Sequence, residues 1–93
     1  MSNPEEESLW DEISRLSKEI EELSKKKKEY EAKIKELMFK EDPSKGIYFH
    51  KEIFELQQKK LMTEFEIDCR RKKKNRILWY LEESKIFDKS KKH

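Results

Sequence analysis

Apolar residues recur along the first half of the chain at alternating steps of four and three. Leu9, Ile13, Leu16, Ile20, Leu23, Tyr30, Ile34 and Leu37 make the series, and Lys27 is the one position that breaks it. A period of 3.5 residues lays a single narrow stripe along an α-helix, the heptad seam of a coiled coil. At about 1.5 Å per residue this helix is roughly 45 Å long, and a stripe of two positions in seven cannot bury itself. It needs a partner helix.

The pattern predicts a first helix over about residues 8–40. Ser8 is its expected N-cap, with Asp11 three residues on as in a capping box; Asn3 with Pro4 in the first turn is the competing start. The glutamates of the acidic tail, residues 1–7, then interact favourably with the positive end of the helix dipole. Asp42-Pro43-Ser44-Lys45-Gly46 is the one cluster of helix breakers, so residues 41–46 read as a turn. A second helix follows over about 47–84, inside a single domain spanning 8–87, and 88–93 form a basic tail. So short a connection suits an antiparallel hairpin, in which residues whose numbers add to about 89 lie side by side. Trp10 then meets Trp79, and the two indoles close the open end.

The second helix is apolar on two sides. At 100° per residue, Ile47, Phe54, Leu61, Met62, Phe65, Cys69, Trp79, Tyr80, Ile86 and Phe87 fall within an arc of about 120°, and this larger group is expected to face helix one. Phe49, Ile53, Leu56, Ile67, Leu78 and Leu81 fall on the opposite side. They are expected to be the unpaired face that receives a third helix, a second subunit or another protein. The fold class is therefore all-α, an antiparallel coiled-coil hairpin, with a three-helix bundle and a dimeric four-helix assembly as its extensions.

Between the apolar groups runs Arg70-Arg71-Lys72-Lys73-Lys74-Asn75-Arg76. Without Gly or Pro the helix is expected to continue through it, although a bend with a short third helix from Arg76 is also compatible. Arg70, Arg71, Lys72, Lys73, Lys74 and Arg76, followed by Trp79, are candidate partner contacts. Clustered cations beside aromatics can bind nucleic acid. In the hairpin register, however, they lie beside residues 13–19, flanked by Asp11, Glu12, Glu19, Glu21 and Glu22, so internal charge offset or an acidic protein partner is favoured. Lys27, a polar residue in the seam, is expected to fix register.

Composition narrows the function. The chain has 93 residues, 33% hydrophobic and 47% charged, against roughly 45–50% and 25% in ordinary domains, which suits long solvated helices rather than a compact core. Net charge is +2, yet residues 1–46 carry −3 and residues 47–93 carry +5, a polarity available for internal or partner contacts. One cysteine excludes an internal disulfide. The Glu-rich start is unlike a signal peptide or mitochondrial presequence, and no apolar run reaches membrane-spanning length, so the expected location is intracellular, cytoplasmic, with no membrane partner.

No catalytic constellation is visible. His50 and Cys69 lie on different faces of a continuous helix, far from any metal-ligand spacing, and Cys69 is expected to be a small buried apolar residue. Many carboxylates are spaced to pair with lysines one turn away, such as Glu21 with Lys25. Gly46 is the only glycine, so there is no phosphate loop. The expectation is a binding protein with no enzymatic activity, cofactor or metal.

Arg15-Leu16-Ser17-Lys18-Glu19, the lysine-rich stretch that follows, Glu31-Ala32-Lys33-Ile34-Lys35-Glu36-Leu37, the acidic connection ending at Tyr48 with Lys51 beyond it, and Asp68-Cys69-Arg70-Arg71 together resemble tubulin-binding cofactor A. The likeness spans about residues 13–83. It implies a three-helix bundle acting as a non-enzymatic chaperone for β-tubulin. The chain departs from the family in having Phe65-Glu66-Ile67 where a proline usually separates helices two and three, and in its two tryptophans. Prefoldin subunits are a weaker likeness, since the strands joining their helices are not visible. Self-association into a structural subunit of a larger complex is the main alternative, and a nucleic-acid accessory role the third.

Overall fold

A computed structural model describes the backbone of residues 4–91 and the side chains of residues 4–83. Two helices account for almost all of it: α1 over Pro4–Lys40 and α2 over His50–Lys91, joined by a 3-10 turn at Pro43–Lys45. They pack antiparallel as a hairpin. The radius of gyration is 21.3 Å and the long axis 77 Å, whereas a compact domain of this length would have a radius of about 12 Å. The molecule is a rod.

Helix α1 starts at Pro4, one turn before the expected Ser8, so most of the supposed acidic tail is helical. Proline suits this place because its missing N–H falls among the unpaired donors of the first turn, and Glu5, Glu6 and Glu7 then lie where the dipole favours anions. Helix α2 runs unbroken through the basic run and on to Lys91, beyond the expected end near residue 84. Its uninterrupted passage through Phe65–Ile67 leaves no third helix among the described residues, unlike the bundle that the cofactor A resemblance implies. Ile86 and Phe87, expected on the packing face, lie outside the described side chains.

The connection ends later than its breakers suggest because it holds a small structure of its own. Asp42 and Ile47 exchange both backbone hydrogen bonds at 2.9 Å, an isolated antiparallel bridge that keeps Ile47 extended and delays α2 to His50. Inside it, the Asp42 carboxylate accepts from the Ser44 hydroxyl at 2.6 Å and the Ser44 N–H at 3.2 Å. Gly46 closes the turn at φ 68°, a left-handed conformation that glycine adopts without the Cβ penalty of other residues. Phe49 acts as the cap of α2: its carbonyl accepts from the Ile53 N–H at 2.9 Å, and its own N–H donates to the Glu41 carboxylate at 3.0 Å. The sequence reading missed this use of Glu41, which places a carboxylate at the positive end of α2.

The core is a single seam between the helices. Ile13, Leu16 and Ile34 of α1 and Ile53, Thr63, Ile67 and Leu81 of α2 are its buried members. This reverses the expected facing of α2. The smaller apolar group, with Ile53, Ile67 and Leu81 buried and Phe49, Leu56 and Leu78 half-buried, packs on α1. The larger group points outward, with Phe54, Leu61, Met62, Phe65, Trp79 and Tyr80 all more than half exposed.

The reason lies in spacing and charge. Phe49, Ile53, Leu56, Lys60, Thr63, Ile67, Arg70, Lys74, Ile77 and Leu81 follow one another by four and three without a gap, and none of them is exposed. That period matches the seam of α1 along its whole length, as knobs-into-holes packing requires. Three of its polar members have partners. Arg70 Nε donates to Glu19 at 2.9 Å, Lys60 meets Glu31 at 3.5 Å, and the Thr63 hydroxyl donates to the Lys59 carbonyl at 2.8 Å. Lys27, the break in the α1 seam, reaches Glu64 at 3.4 Å. The residue numbers of these three cross-helix ion pairs add to 89–91, the expected register, and those of Lys73 and Glu12, nearer the open end, add to 85.

Candidate protein-binding face

The residues expected to meet a partner separate into three places. Ile53, Ile67 and Leu81 are buried in the seam, where they hold the hairpin together and are closed to a partner, whereas Phe49, Leu56 and Leu78 are half-buried. The basic run wraps around the helix and is partly offset within the molecule. Arg70 is held by Glu19 and by the Glu66 carbonyl at 3.1 Å, Lys72 by Asp68 at 3.1 Å and Lys73 by Glu12 at 2.9 Å. Lys74 sits half-buried in the seam, whereas Arg71 and Arg76 are exposed. The Lys73 ammonium, hydrogen-bonded to Glu12, holds that carboxyl below the ordinary glutamate value, and Arg15 adds to the effect. Lys40 does the same for Glu36 along α1.

Trp79 occupies the third place, the outer face of α2. Trp10 and Trp79 are 43% and 61% exposed and make no ring contact with each other, so the indoles do not close the open end. Cys69, expected to be buried, is exposed on the same outer face. This face has its own series at steps of four and three: Phe54, Gln58, Leu61, Phe65, Asp68, Lys72, Asn75 and Trp79, every one exposed. Helix α2 thus carries two heptad stripes on opposite sides. One is filled by α1, and the other is presented to solvent along about 37 Å of helix. The signal was present in the sequence as two sets of apolar residues, but the choice between them depended on which set's polar members α1 could satisfy.

Other features offer less to a ligand. A groove of about 480 Å³ beside the seam, bordered by Leu23, Tyr30, Gln58, Met62 and Thr63, opens to solvent. His50 stacks on Tyr48 at 5.0 Å between ring centroids and lies about 28 Å along α2 from Cys69. Among the described residues there is no group of three potential metal ligands, and no helix is long and apolar enough to cross a membrane. Comparison with protein-family models, curated proteins and solved structures finds no match to this chain.

Proposed function

We propose that the protein is a non-enzymatic, protein-binding coiled-coil module whose working surface is the outer face of α2. The exposed stripe on that helix carries the proposal. Phe54, Leu61 and Phe65 are 57%, 66% and 64% exposed at heptad spacing, and large apolar side chains so arranged on a thin rod are suited to receiving another helix. Arg71 and Arg76 beside it favour an acidic or mixed-charge helical partner over an apolar one. A nucleic-acid role draws less support, because Arg70, Lys72 and Lys73 are each engaged by a carboxylate.

The test is capture by the full chain, with partners identified by mass spectrometry and tubulin, the client implied by the cofactor A resemblance, assayed directly. Phe54→Glu with Phe65→Glu is expected to abolish the capture of a specific protein, while Met38→Glu with Phe39→Glu at the exposed turn end leaves it intact. Equal capture by both variants would reject the outer face as the binding surface. Failure to retain tubulin would reject that client alone.

A further inference from the structure

The outer stripe has a property that narrows its occupant: it is complementary to itself. Residues 50–68 of α2 carry five acidic and three basic side chains, and residues 69–76 carry six basic and no acidic ones. An antiparallel copy of the same helix can set Glu55 and Glu64 of each chain against Arg76 and Arg71 of the other. Resting on the reading of this face as a protein-binding surface, we propose that its occupant is a second copy of this chain, paired α2 to α2, antiparallel, about a two-fold axis between Glu66 and Ile67.

In that register the outer series of the two copies lies layer on layer. Phe54 lies level with Trp79 of the second copy, aromatic on aromatic, and Gln58 with Asn75, amide on amide. Leu61 lies level with Lys72, whose four-carbon stem covers it while its ammonium stays with Asp68, 3.1 Å away in its own helix. Phe65 lies level with Asp68 and one layer from the other Phe65 across the axis; the two Asp68 carboxylates are equally near one another, each offset by Lys72 of its own helix at 3.1 Å. The flanking positions agree: Glu64 faces Arg71, Glu55 faces Arg76, and Met62 faces Cys69, each twice by symmetry. Glu55, Met62, Cys69, Arg71 and Arg76 are all exposed and within reach of such contacts.

The alternatives carry like charges instead. A parallel pair in register stacks Asp68 on Asp68 and Lys72 on Lys72, and brings Arg71 against Arg76. Sliding the antiparallel pair by one heptad faces Arg71 with Arg71 in one direction and Glu64 with Glu64 in the other. Like charges directly opposed at these positions disfavour a register, so a single antiparallel arrangement is selected. The assembly is a four-helix row, α1–α2–α2–α1, with each α2 covered on both sides.

Gln58 and Asn75 are exposed and outside the hairpin seam, so cysteines there test the register without touching the fold. Two full-length chains, Gln58→Cys with Cys69→Ser and Asn75→Cys with Cys69→Ser, are mixed in a glutathione redox buffer and resolved on a non-reducing gel. The expected result is a disulfide-linked heterodimer, with little product from either chain alone, because the equivalent cysteines then lie about 25 Å apart. Sedimentation of the unmodified chain should show association from 11.5 kDa to twice that mass, lost in Phe54→Glu with Phe65→Glu. Homodimers of either single-cysteine chain as abundant as the heterodimer, or a monomer at all concentrations to the millimolar range, would overturn the proposal. If the chain stays monomeric and the same double variant still loses a captured protein, only the second copy is rejected. If neither readout responds to the variant, the outer face is rejected as well.

Discussion

At the scale of single residues, the hairpin depends on a few deeply placed side chains and on polar groups that reach the edge of the seam. Leu16 is 3% exposed, the most enclosed of the seam residues, and Phe39 is 92% exposed. Leu16→Ala should therefore destabilise by about 2–4 kcal/mol, and Phe39→Ala by no more than about 0.5 kcal/mol, in urea denaturation. Glu12 contributes differently. Lys73 holds its carboxyl below the ordinary value of 4.5 in the folded hairpin. A carboxyl lowered in this way contributes stability that is present above pH 4.5 and lost as pH falls through the folded value. The expected outcome is a fall in thermal midpoint on acidification below that point, with Glu12→Gln starting lower at neutral pH and losing less.

At the scale of elements, α2 is where sequence and structure diverge most. Its continuity follows from the absence of Gly and Pro through Arg70–Arg76, and Asn75→Pro tests it: a proline inside a helix costs about 3 kcal/mol or more, so helicity and thermal midpoint should both drop. A chain bent at this place would tolerate the substitution. The facing of α2 was harder to read because two stripes oppose one another around the helix. Counting apolar residues favours the outer set, with Phe54, Leu61, Met62 and Phe65. Lys60, Thr63, Arg70 and Lys74 disguise the inner set, although its steps of four and three never lapse. The start of α2 was hidden for another reason. The bridge between Asp42 and Ile47 and the cap from Glu41 form only when the two helix ends meet, and local breaker residues give no sign of them.

At the scale of the whole molecule, a seam one side chain deep must hold a rod 77 Å long. Such a hairpin buries little apolar area for its length, and its exposed ion pairs add at most about 1 kcal/mol each, so a second layer on α2 would add substantially to its stability. Small-angle scattering at low concentration is expected to return a radius of gyration near the 21.3 Å of the single hairpin. A value near the roughly 12 Å of a compact fold would show that the helices break and fold back.

The sequence by itself determined the two helices, the place of the turn and the antiparallel register, because each follows from spacing and from where Gly and Pro stand; it favoured a continuous α2 but left a bend at residues 70–76 compatible. Leu9 to Leu37 could be recognised as a seam since only Lys27 interrupts it. Which side of α2 meets that seam was decided by tertiary structure. Both sides of α2 offer apolar residues, and the choice rests on whether α1 can satisfy the polar ones. Glu19 and Glu31 can do so for Arg70 and Lys60, and Phe54, Leu61, Phe65 and Trp79 are therefore turned outward.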